Sequence, residues 1–195
     1  MTRGRLNLPD GLALFRVVMT VPIMSFVRAD EDQIPGHFFI AAALFAITAL
    51  TDFLDGYLAR RSTGGTVLGA FLDTTADKIL VTGVLLALVS VDHVSVWPAA
   101  VIVFREFTVM ALRGVVAHGG GLIKPSTWGK AKAVTQYTAL FLAFLRLPDK
   151  WGPWYLDQYV MAIAVIATIG SMWGYLQSFW KVIRSEPEPA PANRS

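Results

Sequence analysis

The chain has 195 residues, of which 54% are hydrophobic, and its mean hydropathy of +0.52 exceeds what a soluble domain of this length needs for its core. It contains no cysteine, which excludes disulfides, thiolate metal sites and a cysteine nucleophile. The formal net charge of +3 is modest, and the basic residues do not form a nucleic-acid-binding patch. We therefore predict an all-α integral membrane protein that binds no nucleic acid.

Six apolar stretches predict membrane-spanning helices, because about 20 apolar residues are needed to cross a bilayer. They cover residues 11–28, 36–60, 66–91, 95–117, 129–147 and 154–180. After residue 183 the chain becomes polar and proline-rich, which is typical of disorder. The sequence thus predicts one membrane domain over 1–183 and a disordered cytoplasmic tail over 184–195.

Lys and Arg residues gather at one set of helix ends, as they do in cytoplasmic loops. This set comprises Arg3, Arg5, Arg60, Arg61, Arg113, Lys124, Lys130, Lys132, Lys181 and Arg184. The opposite ends carry only Arg28, Arg146 and Lys150, among acidic residues. We expect a multi-pass protein of the inner (cytoplasmic) membrane with both termini in the cytoplasm.

Four aspartates lie in the second and third predicted helices, where an ionised side chain costs at least a few kcal/mol and so indicates function. Asp52 and Asp55 are three residues apart, and Asp73 and Asp77 are four apart, so each pair shares a helix face. The polar segment 60–65 predicts a turn that brings the two pairs to matched depths. Facing carboxylates need cations between them, and hard oxygen ligands select two Mg²⁺ or Mn²⁺ ions, with Ca²⁺ as an alternative. Paired cations suit phosphoryl transfer.

Small residues accompany these acids. Gly56 and Ala59 share the stripe of Asp52, and Gly69 lies four residues before Asp73. Their lack of bulk would let a flat ligand approach the helix backbone, and Arg60 could reach its phosphate. The alternative is a packing seam between helices.

The fourth and fifth helices carry charges at or near the predicted cytoplasmic face. Glu106 and Arg113 are seven residues apart and could pair on one helix face. The cationic side chains of this region are Arg105, Arg113, Lys124, Lys130 and Lys132. They suit an acceptor substrate that is itself a phosphate, and the alternative is anchoring to anionic lipid. Arg16 is either a snorkelling residue or a further phosphate ligand.

One string of spaced residues resembles the signature of the CDP-alcohol phosphotransferase family. It reads Asp52-x2-Asp55-Gly56-x2-Ala59-Arg60-x8-Gly69-x3-Asp73-x3-Asp77. The resemblance implies a homodimer with six transmembrane helices and a cytoplasm-facing polar cavity, in which an alcohol attacks a CDP-linked lipid at phosphorus and CMP leaves. It implies that the four aspartates bind the metals and that Asp77 is also the catalytic base. The CDP-diacylglycerol contacts would be Gly56, Ala59, Arg60, Thr66 and Gly69.

Two further patterns are similar to the branch of this family whose bacterial members join CDP-diacylglycerol to glycerol 3-phosphate. They are Arg-Glu-Phe with Ala-Leu-Arg at 105–113, and Gly-Lys-x-Lys-x3-Gln at 129–136. The resemblance implies attack by the sn-1 hydroxyl of glycerol 3-phosphate, with phosphatidylglycerophosphate as the lipid product. The residues that would bind this acceptor are Arg16, Arg105, Arg113, Lys130 and Lys132. The chain departs from the usual pattern at Asp10, Ala13, Thr74 and Gly174.

Three alternatives stay open at this point. The same chemistry could use phosphatidylglycerol as acceptor, giving cardiolipin, or an inositol phosphate. A more remote alternative is a divalent-cation transporter, since intramembrane carboxylates also line permeation paths.

Overall fold

The computed structural model describes residues 8–59, 67–118 and 127–185, and these form six α-helices and one short β-hairpin. The helices are α1 (Leu8–Val27), α2 (His37–Ala59), α3 (Val67–Ser90), α4 (Val96–His118), α5 (Thr127–Leu145) and α6 (Leu156–Ser185). The six predicted helices are therefore confirmed as elements. The strands β1 (Lys150–Trp151) and β2 (Trp154–Tyr155) form an antiparallel hairpin. The first strand lies in a predicted connection, whereas the second replaces the first two residues of the sixth predicted helix, which begins at Leu156 instead of 154.

Left-handed backbone conformations mark three of the helix ends. Gly36, with φ 73°, immediately precedes α2. Asp92 (φ 58°) follows α3, and the His93 amide donates back to the Leu88 carbonyl, which is the closing bond of a Schellman cap. Arg146 (φ 34°) ends α5 in a similar way. These conformations end or start the helices at one end of the bundle, where residues 28–36 and 91–95 form short connections.

Helix α3 lies at the centre of the core. Leu80, Val84, Leu85 and Leu88 are completely buried, at the three- and four-residue spacing of one helix face. Around α3 pack α1, α4 and α5, while α2 packs on α1 and α5, and α6 packs on α4 and α5. The aspartates of α3 are thus carried by a helix that packs against three others among the described residues.

Helices α1 and α3 approach each other at Gly83. A Cβ atom at this position would lie only 2.5 Å from Cγ2 of Thr20, which is closer than real side chains come. The Thr20 hydroxyl donates to the Arg16 carbonyl at 2.9 Å. Glycine is therefore required for the observed separation of these two helices, one of which carries Arg16 and the other Asp73.

The outer surface of the bundle is apolar. Large hydrophobic side chains are exposed on every helix, among them Val21 on α1 and Ile166 on α6. Within the described residues, α1 over Asp10–Val27 and α6 over Leu156–Gln177 are long and apolar enough to cross a membrane. Membrane crossing by the other four helices stays a prediction.

Candidate active site

A cavity of about 740 Å³, lined by apolar and charged side chains, opens between α3, α4, α5 and α6. Its described ionisable side chains are Asp77, Lys78, Arg105, Glu106, Arg113 and Lys132. Because four of these are cationic and two are carboxylates, the wall has an excess of two positive charges when all are ionised. The cavity therefore suits an anionic ligand, and it brings together four of the sequence-predicted site residues: Asp77, Arg105, Arg113 and Lys132.

Both carboxylate oxygens of Asp77 accept hydrogen bonds. The Tyr137 hydroxyl donates to Oδ1 at 2.5 Å, and the Lys78 ammonium donates to Oδ2 at 2.7 Å. The Tyr137 ring stacks on Phe45, with 5.5 Å between centroids. Two donors therefore orient the Asp77 carboxylate. Because its side chain is 27% exposed, the carboxylate is also accessible from the cavity.

Asp73 contacts a different helix. The buried Arg16 guanidinium donates from Nη2 to Asp73 Oδ1 at 2.5 Å. A buried arginine needs an anionic or hydrogen-bonding partner, and Asp73 supplies one. Arg16 does not line the cavity that contains Arg105 and Lys132. Its predicted contact with the acceptor substrate stays a prediction.

Glu106 lies among three cations. Its side chain is 2% exposed, with Lys78 Nζ 2.5 Å from Oε2 and Arg105 Nη1 3.2 Å from Oε1. The Lys132 ammonium donates to Oε1 as well. The suggested pairing of Glu106 with Arg113 is wrong, because two helical turns separate the residues by about 10 Å along the axis and nearer partners are present.

Arg113 and Arg105 both contact Tyr175 of α6. Arg113 donates from Nη2 to the Tyr175 hydroxyl, and its guanidinium carbon lies 4.9 Å from the ring centroid. The corresponding distance for Arg105 is 5.3 Å. Cations over an aromatic face are stabilised by the ring quadrupole, so Tyr175 helps to hold both arginines at the cavity wall.

Several predicted site residues lie outside the described part of the chain. Arg60 and Thr66 belong to the segment between α2 and α3, and Lys130 is placed on α5 without a described side chain. The same is true of the α2 residues Asp52, Asp55, Gly56 and Ala59. Gly69 is described on α3, one turn before Asp73. The four-carboxylate metal cage therefore stays a prediction; the side chains that are described contain no group of three or more acids or histidines that could hold a metal.

Sequence reasoning gave no role to Lys78, Tyr137 and Tyr175. A signal existed for Lys78, a charged residue inside an apolar helix directly after Asp77. None existed for the two tyrosines, because a tyrosine in an apolar helix is usually part of the packing. Their hydroxyl contacts depend on how α5 and α6 are rotated against their neighbours.

The two histidines whose side chains are described lie at the other end of the bundle. The His93 ring bonds through Nδ1 to the Ala143 carbonyl at 2.8 Å and stacks on Phe38. Burial lowers the pKa of His93, so its neutral form is favoured. His37 bonds in the same way to the Phe26 carbonyl at 2.7 Å. Both rings therefore bond to backbone carbonyls near the connections between helices, far from the acids of α3.

Comparison with known proteins gives concordant matches over most of the chain. The family model described as CDP-alcohol phosphatidyltransferase matches residues 6–170. A Bacillus subtilis protein named CDP-diacylglycerol–glycerol-3-phosphate 3-phosphatidyltransferase is 32% identical over 190 residues, covering 92% of this chain and 98% of the relative. Relatives with the same name from Pseudomonas fluorescens and Escherichia coli are each 36% identical, covering 93% and 88% of this chain and 94% and 92% of their own lengths.

Proposed function

The chain belongs to the CDP-alcohol phosphatidyltransferase family, and on that premise we propose that it transfers the phosphatidyl group of CDP-diacylglycerol to glycerol 3-phosphate. The products are phosphatidylglycerophosphate and CMP. The names of its relatives and the patterns at 105–113 and 129–136 support this choice of acceptor.

One structural observation carries the proposal. Asp77 lies in the wall of the same cavity as Arg105, Arg113 and Lys132. A carboxylate can take a proton from a hydroxyl, and guanidinium and ammonium groups bind phosphate. Glycerol 3-phosphate carries a hydroxyl at one end and a phosphate at the other, so both ends would find partners in this cavity.

In the proposed step, Asp77 accepts the proton of the sn-1 hydroxyl. The freed oxygen forms a bond to the lipid-side phosphorus of CDP-diacylglycerol, the bond from that phosphorus to the CMP oxygen breaks, and CMP leaves with the electron pair. Arg105, Arg113 and Lys132 hold the acceptor phosphate during this step. The further proposed acceptor contacts are Lys130, from the pattern at 129–136, and Arg16. The resemblance to the family implies CDP-diacylglycerol contacts at Gly56, Ala59, Arg60, Thr66 and Gly69.

The acids fit a divalent metal by their chemistry. Carboxylate oxygens are the hard ligands that Mg²⁺ and Mn²⁺ prefer, and the side chain of Asp73 is 57% exposed despite its contact with Arg16. We assign Asp52, Asp55, Asp73 and Asp77 as the ligands of two such ions. Bound there, the ions would offset phosphate charge.

The apolar outer surface supports a place in the inner (cytoplasmic) membrane, surrounded by lipid. The proposed arrangement is a homodimer whose six helices span the membrane, with both termini and the mouth of the polar cavity on the cytoplasmic side. The proposed membrane domain covers residues 1–183 and the proposed disordered tail 184–195, of which residues 184 and 185 are still helical as the end of α6.

The test is transfer by the purified full-length protein in detergent micelles containing CDP-diacylglycerol. Labelled glycerol 3-phosphate, inositol 1-phosphate and phosphatidylglycerol are compared as acceptors, each with Mg²⁺, Mn²⁺ or a chelator. We expect label in phosphatidylglycerophosphate, with loss of more than about 1000-fold in Asp77→Asn. Asp92→Asn, the same chemical change at the opposite end of the bundle, should keep full activity.

The other outcomes of this test would support a different acceptor, a different base or a different function. Preference for one of the other two acceptors would keep the chemistry and replace the substrate. Activity that survives Asp77→Asn would refute its assignment as the base. Divalent-cation flux into liposomes without nucleotide, together with no transfer to any acceptor, would favour a transporter.

A further inference from the structure

Glu106 connects three helices through its contacts. It lies on α4 and contacts Lys78 of α3 and Lys132 of α5, as well as its own neighbour Arg105. Since its carboxylate is almost completely buried, protein cations rather than water compensate its charge. Removing one partner from such a buried group is far more costly than removing it from an exposed ion pair.

The three cations also depend on Glu106. Lys132 and Arg105 are both buried, and Lys78 is mostly so. Like charges this close repel strongly in a medium of low dielectric constant. Glu106 is the described anion that all three share, so it fixes where their charges point within the cavity wall.

The charge of the wall matches one class of acceptor. With Glu106 ionised, the described side chains of the cavity carry an excess of two positive charges. A phosphate monoester carries about −1.5 to −2 at neutral pH. An uncharged alcohol such as glycerol would gain nothing from this excess.

We propose that Glu106 is a positioning residue that determines the preference for a phosphorylated acceptor over an uncharged alcohol. The inference rests on the proposed function and adds to it. Glu106 does not bind the acceptor phosphate, which it would repel; it holds Lys78, Arg105 and Lys132 in the arrangement that does. Because Lys78 also donates to Asp77, the same cluster lies beside the base.

The experiment compares two acceptors in the full-length protein with CDP-diacylglycerol and Mg²⁺ in micelles. The value of kcat/KM is measured for glycerol 3-phosphate, and the rate of CMP release is measured separately with glycerol or water as the only acceptor. The variants are Glu106→Gln and Glu106→Asp. The control is Glu31→Gln, the same change at an exposed carboxylate in the connection before α2.

We expect Glu106→Gln to lower kcat/KM for glycerol 3-phosphate roughly 100-fold, mainly through KM, because a buried charge cluster loses its anion. CMP release without glycerol 3-phosphate should change less than about threefold, because the uncharged acceptors do not use the cations. Glu106→Asp should restore part of the loss, since it keeps the charge and shortens the side chain. The control should match the unmodified protein.

The results separate this inference from the function on which it rests. No transfer to glycerol 3-phosphate by the unmodified protein would refute the proposed function. Normal transfer by the unmodified protein, with both acceptors affected equally in Glu106→Gln, would refute only the role of Glu106. Thermal unfolding is measured alongside, and loss of the fold in both Glu106 variants would also refute it, by showing a purely structural role.

Discussion

At the scale of single residues, the environment of Asp77 is the most informative part of the site. A base must be accessible to its substrate and held at a fixed orientation. Tyr137 and Lys78 provide the orientation, one donor to each carboxylate oxygen, and the cavity provides the access. The phenol is the more specific of the two donors, because stacking on Phe45 fixes its ring.

Replacing Tyr137 by phenylalanine should therefore lower kcat roughly 10- to 100-fold, since a hydrogen bond to a charged group is worth about 1.5–3 kcal/mol. KM for both substrates should stay nearly unchanged, because the ring keeps its stacking and the cationic wall is untouched. Steady-state kinetics of transfer to glycerol 3-phosphate measure both values. Tyr159→Phe removes a hydroxyl that bonds to the Trp151 carbonyl near the hairpin, and it is the matched control. An unchanged kcat in Tyr137→Phe would show that Lys78 alone orients the base.

The spacing of acids along the chain was sufficient to identify Asp77 as a candidate, but not to find its partners. The spacing shows which residues share a helix face. It does not show which face of α4 turns towards α3, and so it suggests Arg113 as a possible partner of Glu106, whereas the structure has Lys78 there. Contacts between helices depend on crossing angles and rotations that are set by packing of the whole core.

At the scale of elements, the close approach of α1 and α3 is the feature that positions Asp73. Arg16 on α1 reaches Asp73 on α3 across this contact. Gly83 allows the approach and Thr20 occupies the space where a side chain would lie. The distance between the two helices is therefore part of the geometry of the site.

Gly83→Ala should destabilise the protein, because the added methyl group must displace Thr20 or separate the helices. Overpacking of this kind costs about 1–3 kcal/mol, and thermal unfolding in detergent should show a clearly lower Tm. Transfer activity should fall as well, since Arg16 moves relative to Asp73. Gly170→Ala on α6, where an added Cβ meets nothing within 4 Å, should leave Tm unchanged or slightly raised. A normal Tm in Gly83→Ala would show that α1 can shift without cost.

The number and order of the helices could be predicted because long apolar runs leave little choice of structure. The ends were less predictable. Helix α6 reaches Ser185, beyond the predicted end at residue 180, because the charged residues that stop an apolar run do not stop a helix. The hairpin of β1 and β2 was missed, since two-residue strands leave no periodic pattern and only Gly152, with φ 82°, marks its turn.

At the scale of the whole molecule, charge is distributed unevenly along the bundle. The cavity that contains Asp77 and Glu106 extends to Phe71, Ala117 and Gly129, towards the first turns of α3 and α5, and His37 and His93 lie at the other end. If the helices cross the membrane as proposed, the two ends face different compartments.

The absence of cysteine from the sequence makes this orientation easy to test. Single cysteines at the exposed positions Asp149 and Arg184 should differ in reaction with a membrane-impermeant maleimide. We expect labelling of Asp149→Cys in intact spheroplasts, and of Arg184→Cys only after the membrane is permeabilised, because the basic ends stay in the cytoplasm. The opposite pattern would invert the orientation, and equal labelling of both would contradict an odd number of spans between them.

The two contacts of Lys78 limit how the acceptor preference of such an enzyme can change during evolution. One ammonium group touches both Asp77 and Glu106, so the proton acceptor and the recognition cluster share a single side chain. If the cations were replaced one at a time so that the protein accepted an uncharged alcohol, turnover would fall as the acceptor selectivity changed. New selectivity would then have to arise through paired, compensating substitutions, and engineering libraries that vary α3, α4 and α5 together should succeed where single-site libraries fail.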